Sequence, residues 1–338
     1  MRYLGLVLAL GACGGGNTAD GDAQNVNGDG NGSSTGDAAP ACDPGKIDVG
    51  AGCVPINAND PGQRAAADVC TRWKADHVLT DAHPFSANTA GDCDIGMLST
   101  AGKADALKRL NLFRWLSGLG PTTEDAGLDA TDQACANLEA WWDFTSTASP
   151  HAPPATTKCY TAQGASGAGM SNIAWGSGDP SQAMDQWVED NGNATTMGHR
   201  RWIVNPPLGP IGLGYWQTGG TYGNATCLAV FGSSGTSVVP PWVAVPNPGP
   251  VPVEVAKWTW TFHSNLGGTE NANIAVLRLS DHAMLAVTKQ TLQQGYGQKA
   301  IAWQPMGWTP AAGETYRVTI SGLTGGDVVY AVKPVTCN

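Results

Sequence analysis

Charge is scarce in this 338-residue chain. Asp, Glu, Lys and Arg make up 14% of it, and 28 acidic residues outnumber 18 basic ones for a formal net charge of -10. So few cations argue against nucleic acid or an anionic membrane surface as a partner, since both need a basic face. After the first dozen residues no run is long and apolar enough to span a bilayer. No two cysteines have the C-x-x-C spacing of a zinc ribbon or a dithiol redox site. An H-E-x-x-H helix is missing too, which removes the commonest zinc-protease arrangement. What is abundant is glycine (45), proline (22) and tryptophan (13), the composition of a loop-rich exported protein.

The start of the chain points to the same compartment. Arg2 precedes an apolar run, Leu4 to Leu10, that closes on Leu10-Gly11-Ala12-Cys13. The closing tetrapeptide resembles the lipobox of bacterial lipoproteins, whose cysteine sulfur takes a diacylglycerol. The expectation is a signal peptide over 1–12, a lipidated Cys13, and a membrane anchor on the exported side of the cell envelope, at the outer membrane or cell surface. Residues 13–41 are mostly Gly, Asn, Asp, Ser and Ala with Val26 as the one large apolar residue, which reads as a flexible tether. Eight further cysteines follow: Cys42, Cys53, Cys70, Cys93, Cys135, Cys159, Cys227 and Cys337. An even count in an exported chain argues for four disulfides. Nearest-neighbour pairing would join Cys42–Cys53, Cys70–Cys93, Cys135–Cys159 and Cys227–Cys337, although sequence alone does not fix connectivity.

Residues 42–97 read as a small disulfide-supported region with a helix over 63–78. His77 and His83 flank Asp81 there, and a loop with solvated histidines explains them more simply than a metal site. Helices are expected over 103–119, where Asn111 and Arg114 fall on a largely buried face and need partners, and over 130–144. A third begins with Asp179 as N-cap and Pro180 at N1. Short β-like runs follow at 211–216 and 226–231. The Pro- and Val-rich stretch 238–252 reads as a junction, and 253 onward as alternating strands. The organisation is therefore α+β over 98–236, then an all-β sandwich, immunoglobulin-like or fibronectin-like, over 237–338. His263 and His282 are expected at the surface or in turns.

Four separated segments carry a resemblance. They are Asn111-x-x-Arg114-x-x-x-Gly118-Leu119-x-Pro121, Ser149-Pro150-His151-Ala152-Pro153, Ser171-Asn172-Ile173-Ala174, and Ala183-Met184-x-x-Trp187 followed by Gly198-His199-Arg200 and Ile211-Gly212-Leu213-Gly214. In this order they resemble the CAP superfamily of cysteine-rich secretory and pathogenesis-related proteins, with its SCP-like extracellular domain. The resemblance implies a CAP-type α-β-α sandwich with a shallow cavity lined by two histidines and two acidic residues. The histidines fall on His151 and His199. The first acid position holds Ser171, so that carboxylate is absent. The second falls on Asp190, which lies about 60° from Trp187 around a helix, against about 160° for Glu189. Asp190 is therefore expected at the cleft rim.

Two neutral imidazoles and a carboxylate can hold Zn2+ with an open position, which is the basis of a metal-dependent hydrolase reading through His151 and His199. Against it, the missing glutamate removes the obvious general base, and Gly169-Met170-Ser171-Asn172-Ile173 is not the G-x-S-x-G of a nucleophile elbow. Binding of a lipid, glycan or envelope protein, with no required cofactor, is the favoured alternative. Most of the tryptophans are assigned to core packing, with some available to stack on a ligand.

Overall fold

Apolar faces and capping residues divide the chain into a helical half and a strand half. The computed structural model describes residues 46–48, 53–55, 64–86, 91–217, 223–231, 235 and 239–337. The expected signal peptide, Cys13, the tether and Cys42 lie outside these residues, and so does the side chain of Cys53. All described residues fall within one unit, Ala41–Asn338.

Strands β1 (Lys46–Asp48) and β2 (Cys53–Pro55) pair antiparallel ahead of α1 (Ala66–His77). The short pair β3 (Phe85–Ser86) and β4 (Met97–Leu98) leads into α2 (Thr100–Leu116) and α3 (Ala126–Glu139). Next come α4 (Ala162–Met170), β5 (Ser171–Trp175), α5 (Pro180–Glu189), α6 (Gly198–Ile203), β6 (Leu213–Gln217) and β7 (Asn224–Ala229). The strand half runs through β8 (Trp242–Val245), β9 (Gly249–Pro252), α7 (Val253–Ala256), β10 (Trp260–Ser264) and β11 (Asn273–Arg278). It ends with β12 (Ala283–Leu285), β13 (Val287–Thr291), β14 (Lys299–Pro305), β15 (Tyr316–Ser321) and β16 (Val328–Val335). The class is α+β.

Side-chain caps start the helices. Ser99 accepts from the Gly102 N–H, Asp125 from Gly127 and Leu128, and Asp179 from Ser181 and Gln182 ahead of Pro180. The Gly- and Ala-rich α4 is capped by Thr161, which accepts from the Gly164 N–H, but it carries no large apolar residue before Met170. Its small residues let it pack tightly, because a Cβ on Gly164 would come 2.8 Å from the Ala134 carbonyl oxygen of α3.

The sheet order β5-β7-β6 is antiparallel throughout. One face sets Ile173, Trp216 and Cys227 against Cys135, Ala136 and Ala168 of α3 and α4. The other sets Ala174, Leu213, Tyr215 and Leu228 into the cluster that holds α2 and α5. Helices therefore cover both faces. Gly214 is required where α3 crosses β6, since any Cβ there would collide with the Asp132 carbonyl. The two polar residues expected on the buried face of α2 do find partners. Arg114, fully buried, donates to the carbonyls of Gly120, Ile203, Asn205 and Pro206, while Asn111 exchanges hydrogen bonds with the Thr122 backbone.

The last hundred residues form a four-stranded sheet, β13-β14-β10-β8, and a five-stranded sheet, β12-β11-β15-β16-β9. Alternate residues meet between them: Trp260 edges onto Tyr316 with centroids 6.3 Å apart, and Trp242 lies 5.4 Å from Tyr330. The stretch 238–252 is more than a junction. It supplies two buried strands, β8 and β9, and β9 keeps its prolines at a sheet edge by pairing in parallel with β16. His263 is not a surface residue either. It is buried in β10 with Nε2 against the Thr261 hydroxyl, and burial with the nearby Arg201 and Arg200 holds its pKa well below the usual imidazole range.

The disulfides do not follow nearest-neighbour pairing. Cys70 joins Cys337, Cys93 joins Cys159, and Cys135 joins Cys227. The fold supplies the reason. Cys135 faces the sheet from α3 directly over Cys227 of β7, and the last strand returns beside β9, which packs on α1 and its Cys70. The fourth expected pair, Cys42–Cys53, lies outside the described side chains.

Candidate functional site

A cavity of about 810 Å3 opens where four segments meet, and both His151 and His199 line it together with Ser171. His151 stands on the loop after α3. Its Nδ1 lies 2.8 Å from the Ala168 carbonyl, and a carbonyl only accepts, so Nδ1 carries the proton and Nε2 presents a lone pair. His199 opens α6. Its Nδ1 lies 2.8 Å from Oδ1 of Asp190, which fixes the same tautomer.

Asp190 is not at the cleft rim. It caps α5 in the left-handed conformation, with φ 56°, and is buried behind the His199 ring. Its other oxygen accepts the Arg200 N–H, so the carboxylate orients the imidazole rather than facing the cavity. The reason is the chain reversal at the helix end, which turns residue 190 off the helical wheel used to place it.

Ser171 opens β5 and lines the cavity, but its hydroxyl turns inward. Oδ1 of Asp132 lies 2.6 Å away and the Gly167 carbonyl 2.7 Å away. Asp132 is fully buried on α3, its Oδ2 accepts from the Ala229 N–H, and burial pushes its pKa up to about 7. Neither imidazole is among the hydrogen-bond partners of Ser171, so no histidine base is set to activate it. Among the described residues no three His, Cys, Asp or Glu side chains form a group that could hold a metal ion. The His77, Asp81 and His83 group is occupied otherwise. His77 is bonded to the Trp73 carbonyl with its pKa lowered to about 4 by burial and Arg109, while Asp81 accepts from Ser99 and the His83 N–H.

The far wall comes from the strand half. Gln294, Gly295 and Tyr296, between β13 and β14, line the same cavity. Two arginines directly after His199 tie the halves together. Arg200 donates to the carbonyls of Val188, Glu189 and Thr259 and to the Thr261 hydroxyl. Arg201 donates to the carbonyls of Thr196, Gln293 and Gln298 and to Oε1 of Gln294. Both guanidiniums are buried, which lowers each pKa to about 10 and leaves them charged at neutral pH.

Sequence reasoning did not single out the aromatic lining. Trp175 of β5, Trp202 of α6, Phe231 after β7 and Tyr296 all face the cavity. Trp202 packs edge-on against Phe231 with centroids 4.4 Å apart and lies 6.4 Å from Tyr296. The one available signal was Trp202 three residues after His199, a helical spacing that puts both on one side of α6. No protein-family model matches the chain, and no curated protein matches it.

Proposed function

We propose that this is an exported protein of the CAP type, held at the cell envelope through a lipid on Cys13, that binds a ligand in the cleft between His151 and His199. The observation that carries the reading is the orientation of the two imidazoles: both line one cavity, and both have Nδ1 tied back, which leaves each Nε2 for a ligand. A sheet covered by helices on both faces, with the histidine-bearing segments arriving in the expected order, supports the CAP type. The paired antiparallel sheets of the last hundred residues fit an immunoglobulin-like or fibronectin-like sandwich. Disulfides fit an oxidising compartment outside the cytosol.

Binding is favoured over hydrolysis because the groups a hydrolase would need are committed elsewhere. Ser171 faces Asp132, and Asp190 holds His199. The imidazoles alone fit a weakly held divalent ion, since a metal-ligating histidine is usually fixed by a hydrogen bond from its other nitrogen. Such an ion would supply a polarising charge at the cleft, held by His151 and His199.

Zinc titration by calorimetry tests the cleft. Heat seen with the native protein and lost in the His151→Ala/His199→Ala double variant, with no turnover of peptide or ester panels, is the expected result. Indistinguishable heats would leave both rings as structural groups, and zinc-dependent turnover would favour the hydrolase.

A further inference from the structure

We infer that the ligand of this cleft is a neutral oligosaccharide, seated against the aromatic patch of Trp202, Phe231 and Tyr296. The inference rests on the ligand-binding reading above and names the chemical class that the lining selects.

Charge comes first. Among the described residues no Asp, Glu, Lys or Arg side chain lines the cavity, although the chain carries a net charge of -10. Charged groups bonded to the lining or beside it are turned to internal partners: Asp132 to Ser171 and Ala229, Asp190 to His199, Arg200 to the carbonyls of Thr259 and Glu189, and Arg201 to the segment 293–298. With both imidazoles neutral and no divalent ion held between them, a phosphate, sulfate or carboxylate would meet no cation here, and a cationic ligand would meet no carboxylate. An ionic ligand would lose its hydration without a counter-charge.

The apolar part of the lining is aromatic and accessible. Phe231 is 45% exposed although its ring packs against Trp202 of α6. Trp202 and Tyr296 are half-buried beside it. Rings held edge to face present flat apolar surface with polar groups around it, which suits the C–H face of a pyranose. A second aromatic pair, Trp175 with Phe144 at 5.1 Å, stands at the far end of β5 from Ser171. The four steps between Ser171 and Trp175 cover roughly 13 Å of extended strand. The cavity volume of about 810 Å3 is near the upper part of the range for ligand pockets, roughly 300–1,000 Å3. A chain of sugars fits this size better than a single ring.

The polar part of the lining matches hydroxyl groups. The two Nε2 atoms accept, and Asn191 adds an exposed amide with both donor and acceptor. An acyl chain would displace water from these atoms and leave them unpaired, a cost that a hydroxyl-rich ligand avoids.

The aromatic wall is also held in place. Arg201 fixes both ends of the segment carrying Tyr296, and its guanidinium lies 5.5 Å from the Tyr296 ring. Gly198, directly before His199, leaves room for that ring, since a Cβ there would come 2.9 Å from it. Tyr296 is therefore preorganised next to the histidine helix, which lowers the ordering cost of binding.

The test uses the folded chain and neutral hexasaccharides of glucose, N-acetylglucosamine, mannose and xylose, read by tryptophan fluorescence and calorimetry, with a fluorescent fatty acid as the competing class. At least one saccharide should bind, with an affinity unchanged between low and high salt. Tyr296→Ala should weaken it about tenfold or more, about 1.4 kcal/mol, while Tyr296→Phe keeps it. Saccharide binding that ignores Tyr296→Ala would place the sugar elsewhere and overturn the inference. Fatty-acid binding without saccharide binding would overturn the ligand class and leave the cleft reading standing. Zinc binding that depends on His151 and His199, with neither organic ligand bound, would do the same. Silence from zinc, saccharide and fatty acid together would remove both.

Discussion

The two halves of the molecule bury different chemistry. Between α2 and α6 the interior holds Asp105, Arg114, Asp129, Asp132, Glu139, Asp190, Arg200 and Arg201, all nearly inaccessible. The strand half buries tryptophans, tyrosines and aliphatic residues, and among its described residues the buried polar side chains are Asn247, Thr261, His263, Ser264, Thr269 and Gln298, with no carboxylate, ammonium or guanidinium among them. An apolar sandwich interior follows from strand alternation and needs little else. A buried charge must be given partners, and here those partners fix loops: Arg114 pins 203–206, Asp190 orients His199, and Arg201 anchors the Tyr296 segment. The charged interior is what builds the cleft.

The largest effect that would sharpen this contrast is expected at the joint. Arg200→Met leaves four acceptors of the two halves without their donor, and should cost about 4 kcal/mol in urea unfolding. Val318→Ala in the sandwich interior should cost about 2 kcal/mol by the ordinary loss of packing. Equal effects would erase the distinction between the halves. Next comes the crosslink between α1 and the C-terminus. Cys70–Cys337 spans 267 residues, and its Cys70→Ser/Cys337→Ser replacement should cost about 3 kcal/mol, whereas a change well below 1 kcal/mol would show that the joint holds without it.

The smallest effect concerns Glu139, buried at the end of α3 with both carboxylate oxygens lacking a partner and its pKa pushed up to about 8. The native state therefore keeps a proton that the unfolded chain has released. Stability must fall as pH rises from the ordinary carboxylate range toward 8. Asp129 and Asp132, raised to about 6 and about 7, slope the same way, chiefly below neutrality. Between pH 7 and 8 the native protein should lose about 1 kcal/mol, and Glu139→Gln should remove most of that slope. A native profile flat over that interval would mean that Glu139 is ionised in the fold.

How much of this was legible in the sequence depends on whether a signal is local. Helices such as α5 announce themselves by Asp179, Pro180 and the stripe Ala183, Met184, Trp187 and Val188. Alternation gave the later strands, as in Tyr316, Val318 and Ile320 of β15. The helix α4 was missed because glycine and alanine carry its packing against α3 rather than an apolar face. Strands β8 and β9 were missed because proline there reads as a break until an edge position accommodates it. At the site, His151, Ser171 and His199 could be named from short motifs. Tyr296 could not, because it reaches the cavity from about a hundred residues away through the donors of Arg201. Asp190 was named, but its role changed with a single left-handed residue.

The central claim is that both imidazoles turn Nε2 toward one cavity. Long-range proton–nitrogen spectra of the histidine rings, recorded at alkaline pH with and without Zn2+, test it most directly. His151 and His199 should both be protonated on Nδ1, and zinc should shift both Nε2 resonances together. A proton on Nε2 of either ring, or a zinc response from one ring alone, would contradict the arrangement described here.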